Sequence, residues 1–138
     1  MNAIVGNPNL NHAAALVGRI LLAILFIKAG WGKIGGWEAT AGYMASKGLP
    51  MVPVLLAGTI AIELLGGLMI AVGWKARWAA LAIFLWMIPV TFMFHAFWGI
   101  DPAQVQNQSN HFFKNVSIAG AMLLVFAFGP GAYSLDRR

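Results

Sequence analysis

The chain has 138 residues, 60% of them hydrophobic and only 9% charged, with a mean hydropathy of +0.76; the length fits one domain and the composition excludes an ordinary soluble globule. The formal charge of +5 comes from nine Lys and Arg against four Asp and Glu, yet these cations stand singly at the ends of apolar runs, so they read as topology signals and not as a nucleic-acid-binding patch. There is no cysteine, which excludes disulfides, thiolate metal sites and thiol redox chemistry within the chain.

Apolar runs of about 20 residues recur along the sequence, the length a helix needs to cross a bilayer. The alternation of a membrane β-barrel is absent. The first predicted span, about 13–32, follows a polar lead and takes Asn11 as its cap. It does not read as a cleavable signal, because Met1–His12 carries no Lys or Arg and the run itself holds Arg19 and Lys28. Arg19, Phe26, Gly30 and Lys33 share one helical face. Lys28 lies about half a turn round on the other side, where a lysine snorkelling to an interface is the simplest reading. Ile34–Pro50 is too short and polar to span; it reads as an interfacial helix with Trp37 and Tyr43 at headgroup depth, stopped by Gly48 and Pro50.

The second span, about 52–73, places Glu63 near the bilayer centre, where a charge costs roughly 2.5–3.5 kcal/mol. Glu63 therefore needs a cationic or hydrogen-bonding partner, or it must hold its proton. Gly66 and Gly67 follow at i+3 and i+4 and leave room for another helix. A tight WKAR link leads to the third span, about 78–98, where Pro89 predicts a kink and Thr91, His95 and Trp98 recur on one face. Gly99–Asn110 reads as a polar loop, and the fourth span, about 111–129, carries Lys114, Asn115 and Ser117 in its first turns. The expected fold is an all-α membrane protein of one domain, 1–138: a four-transmembrane-helix bundle in the lipid bilayer, with a short interfacial helix between helices 1 and 2. Lys75, Arg77, Arg137 and Arg138 on one side predict that both termini are cytoplasmic.

Depths counted at 1.5 Å per residue give two groupings. One is a mid-membrane pair of Arg19 with Glu63, which would either fix helix packing or mark a proton-responsive or ligand-binding carboxylate. The other is an outer cluster of Lys33, His95, His111, Lys114 and Asn115, roofed by Trp31 and Trp98. His95 and His111 lack a third ligand suited to zinc, and two histidines at one end fit the axial ligation of a haem poorly, so no metal or covalent cofactor is predicted.

The strings RILLAILFIKAGWGKI, GLP, IELLGGLMIAVGWKARWAA, FHAFW and HFFKNVSIAGAMLLVFAFGPGAYSLDRR, in this order, resemble the DoxX family over nearly the whole chain, most specifically in the closing KN…G…GPG.YSLD pattern. The resemblance implies a small four-helix bacterial inner-membrane protein. It also implies a link to respiratory or redox-stress oxidoreductases, since the family is named after a subunit of an archaeal thiosulfate:quinone oxidoreductase. By motif it carries over Arg19, Lys33, Glu63, His95, Lys114 and Asn115.

Three functions are consistent with these residues. The first is a membrane subunit of an oxidoreductase system that binds quinone between its helices and receives electrons from a redox partner protein. There Glu63 and His95 would be catalytic, with Arg19, Lys33, Lys114, Asn115 and Trp98 binding the ligand. The second is a transporter or permeation subunit for a small solute or proton, working as a homo-oligomer. The third is a structural assembly protein of a membrane complex.

Overall fold

The computed structural model describes residues 6–137, and among these the chain forms five helices and no strand: α1 (Pro8–Gly35), α2 (Trp37–Ser46), α3 (Val52–Val72), α4 (Ala76–Phe94) and α5 (Pro102–Phe128). All but α2 are long and apolar enough to cross a membrane. The four-span bundle and the short helix between its first two spans are as the sequence predicts.

The boundaries differ in an instructive way. Helix α1 begins at Pro8, not near Ala13, because the Asn7 side chain accepts from the Asn9 and Leu10 amides and Pro8 occupies the first turn. The same device corrects the predicted 99–110 loop. Asp101 accepts from the Ala103 amide at 3.0 Å, Pro102 follows it, and α5 is helical from that point. Helix α4 starts at Ala76, where Asp136 reaches across from the C-terminal tail to accept from the Lys75 and Ala76 amides at 2.9 and 3.0 Å. It ends at Phe94, so Trp98 lies beyond the helix and the predicted face shared by Thr91, His95 and Trp98 stops at His95.

The glycines set how the spans meet. A Cβ on Gly30 would come within 2.9 Å of the Leu64 amide nitrogen, and one on Gly67 would come within 3.2 Å of Phe26 Cβ and of the Ile27 amide nitrogen. Helices α1 and α3 therefore touch almost backbone to backbone, while Gly66 admits Ile83 of α4. This fixes the register of the antiparallel pair, with Gly30 level with Glu63 and Leu64. Helix α1 then runs out roughly level with Thr59, and α3 continues about two turns further, toward the outer end of the bundle, which is the end that holds α2, the opposite end being the inner one. Helix α2 occupies that outer layer beside the first turns of α3, with Met44 buried and Tyr43 against Phe94.

Helix α1 packs on α3, α3 on α4, and α4 on α5, whereas α1 and α5 make no comparable contact. The order in space is an arc, with a cleft between its first and last helices. Ala23, Phe26, Ile70, Ile83, Met87 and Met122 fill the centre and tie the arc together.

Candidate functional site

The outer half of the arc encloses a cavity of about 340 Å³, lined from every helix: Lys33, Met44, Glu63, Trp86, His111 and Lys114 mark its walls. That size falls within the usual range of small-molecule sites. Its polar groups come from two sides.

On the α1–α3 side, Lys33 Nζ donates to both carboxylate oxygens of Glu63, at 3.0 and 2.9 Å. Glu63 is 4% exposed, so this bidentate contact is what lets a carboxylate stand at mid-membrane. The predicted Arg19–Glu63 pair is thereby overturned. Because α1 stops short of the outer surface, Lys33 lies one turn outward of Gly30 and drops its ammonium onto Glu63. Arg19, at 4% exposure, is instead spent at the inner end. Its guanidinium donates to the carbonyls of Ala71 at 3.3 Å, Tyr133 at 2.9 Å and Pro130. It lies outside the outer cavity and cannot touch a ligand bound there.

On the α4–α5 side, His95 caps the C-terminus of α4 and pairs through Nδ1 with Gln108 Oε1 at 3.1 Å. Its ring stacks on His111 with centroids 5.2 Å apart. Asn115 donates to Thr91 at 3.2 Å. Lys114 lines the cavity and makes no hydrogen bond or ion pair among the described residues. Below these groups, Trp86 donates to Thr59 at 3.4 Å.

The cavity thus brings together Lys33, Glu63, His95, His111, Lys114 and Asn115, and leaves out three predicted participants. Trp31 is 70% exposed on the outward side of α1, and Trp98 is 53% exposed within an aromatic group formed with Phe92, Phe97 and Phe112. Neither roofs the site; Thr40, Tyr43 and Met44 of α2 do. Gln108 gives no signal in a polar stretch that its composition marks as a loop, although it lies within α5. Read as helix, Gln108, His111 and Asn115 recur at i, i+3 and i+7 and declare one polar face. Among the described residues, no three His, Cys, Asp or Glu side chains gather as a metal-binding set.

Four apolar spans around a largely apolar cavity with a few polar groups in its walls define a small polytopic helical membrane protein. The sequence model of the DoxX family matches residues 14–96, and the chain belongs to that family. Among curated proteins it is similar to the Escherichia coli inner membrane protein YqjF, 42% identical over 130 residues that make up 93% of each chain. It is also similar to the Escherichia coli inner membrane protein YphA, 36% identical over 123 residues, 89% of this chain and 88% of that one. The chain is accordingly a multi-pass inner-membrane protein. No solved structure matches it significantly.

Proposed function

We propose that the protein is the membrane subunit of an oxidoreductase system and that the outer cavity receives the headgroup of a lipid-soluble quinone. The observation that carries this reading is the cavity itself: an otherwise apolar chamber with polar groups on two opposing walls, beside helices α1 and α5 that do not close on each other. A quinone carries two carbonyl oxygens on opposite sides of a flat ring, and it enters from lipid. The residues fit such a group.

When bound, the quinone supplies the electron-accepting chemistry, two electrons and two protons taken up per quinol formed; the electrons come from a redox partner protein. Lys33 and Glu63 form one wall, where the ammonium would donate to one oxygen of the group and the carboxylate would exchange protons. His111, Lys114 and Asn115 line the other, where the Lys114 ammonium would donate to the second oxygen. His95, fixed by Gln108, orients the His111 ring. Trp86, Met87 and Phe94 supply the apolar surface for the ring. Permeation fares less well as a reading, because Phe26, Ile83, Met87 and Met122 fill the layer beneath the cavity, and Arg19 is committed to backbone carbonyls at the inner end. The positive-inside rule supports a cytoplasmic side at the end of the bundle that bears Lys75, Arg77 and Arg137, and with it cytoplasmic termini.

The test is mass spectrometry of organic extracts from protein purified in mild detergent. Wild type is expected to retain a quinone at near-stoichiometric level, and folded Glu63→Gln and Lys114→Gln variants to lose most of it. Bulk phospholipid alone, in equal amounts from all three, would refute the proposal.

A further inference from the structure

Lys28 is the one cation of the spans that the inner clasp and the outer cavity leave unused. The face of α1 buried against α3 is marked by Arg19, Ala23, Phe26 and Gly30. Lys28 points directly away from it and is exposed, with no partner among the described residues. Its depth follows from the contacts of the neighbouring glycines. Gly30 meets Glu63 and Leu64, and Gly67 meets Phe26 and Ile27, so Lys28 lies level with Leu65 and Gly66. That is about a turn from the middle of α3 and therefore near the centre of the membrane.

Snorkelling does not resolve this position. The inner end of the bundle is marked by Arg19, nine residues away and roughly 13 Å along the helix at 1.5 Å per residue. A four-carbon lysine stem covers about half of that distance. Outward, the helix continues to Gly35 within the membrane-embedded bundle. A full charge facing lipid tails near mid-depth is expensive, which favours a protein partner over lipid on this face of α1.

We propose that this face, centred on Lys28, docks a membrane-spanning helix of another protein that carries a carboxylate at mid-span. Charge complementarity selects the occupant. The chain has four acidic residues, and none suits the role. Glu63 is held by Lys33, Asp136 caps α4 at the inner end, Asp101 caps α5 outside the span, and Glu38 lies in α2. A second copy packed symmetrically through this face would oppose Lys28 with Lys28. Gly32 and Gly35 follow Lys28 on the same side, and a Cβ built on either meets nothing within 4 Å, so an incoming helix can approach closely. The inference does not depend on what the outer cavity binds.

The experiment is photo-crosslinking from a benzoylphenylalanine placed at Ile24, which is exposed on the same side, in native membranes, with adducts identified by mass spectrometry. The expected result is an adduct to a different membrane-spanning chain with an Asp or Glu in the middle of its span. That adduct is lost in Lys28→Leu and kept in Lys28→Arg. Adducts only to lipid, only to a second copy of this chain, or only to spans without a carboxylate would overturn the proposal, as would an adduct indifferent to Lys28→Leu. Because Lys28 contributes nothing to the packing within the chain, Lys28→Leu should fold as wild type does, which its melting temperature in detergent checks.

Discussion

At the scale of single residues, the Lys33–Glu63 pair sets one polar wall of the outer cavity. Removing one partner of a buried pair strands the other charge, which typically costs about 3–5 kcal/mol, whereas replacing both by apolar groups is often neutral or better. Lys33 keeps 26% of its side chain exposed, so the cost falls at the lower end of that range. Lys33→Met is thus expected to lose about 3 kcal/mol of stability in a detergent-denaturation titration, and the double variant Lys33→Met with Glu63→Met is expected to recover most of it. A double variant no better than the single one would show that the pair does not carry the interaction. Glu63 was legible from sequence as a group that must be answered; the identity of its partner was not. Arg19 and Lys33 lie on the same face of α1, and only the depth at which α1 ends, hidden in the interhelical register, chooses between them.

At the scale of helices, the contact of α1 with α3 rests on glycines that admit backbone. Gly30→Ala places a methyl 2.9 Å from a main-chain nitrogen, which no rotamer change can relieve, so α1 must shift. A loss of about 1–3 kcal/mol is expected, together with weakening of the Lys33–Glu63 contact. Gly18→Ala on the same helix meets nothing within 4 Å and serves as the control, expected to be neutral or slightly stabilising. Comparing the two in one denaturation series tests the register directly. The sequence announced the four spans through their apolar length and announced Gly66 and Gly67 as approach points. It concealed the true helix starts, because Asn7–Pro8 and Asp101–Pro102 are cap signals set in polar stretches where no apolar period calls attention to them. It also concealed the end of α4, since a 3.6-residue period continues on paper past the point where the chain leaves the helix.

At the scale of the whole molecule, the inner end is closed by the segment after α5. Leu135 and Asp136 donate their amides to the carbonyls of Val72 and Gly73, at 3.1 and 2.9 Å, and Asp136 caps α4. Arg77 donates to the Phe126 and Ala127 carbonyls at the end of α5. The tail thereby satisfies the end of α3 and the start of α4, while Arg77 of α4 answers the end of α5; the first two are the physical content of the YSLD part of the closing pattern. Asp136→Ala is expected to cost about 1 kcal/mol, the usual value of a lost helix cap, and to speed hydrogen exchange at the Lys75 and Ala76 amides, whereas Asp136→Asn should retain most of both. Unchanged exchange at those amides would contradict the cap. The tail also imposes an order on biosynthesis. Arg19 donates to carbonyls 111 and 114 residues further along the chain, and at synthesis rates of about 5–20 residues per second these emerge roughly 5–20 s after it. The α1–α3 pair must therefore enter the membrane with its inner arginine answered by Ala71 alone, and the newborn protein passes through an interval in which the finished end of the bundle waits on residues the ribosome has yet to deliver.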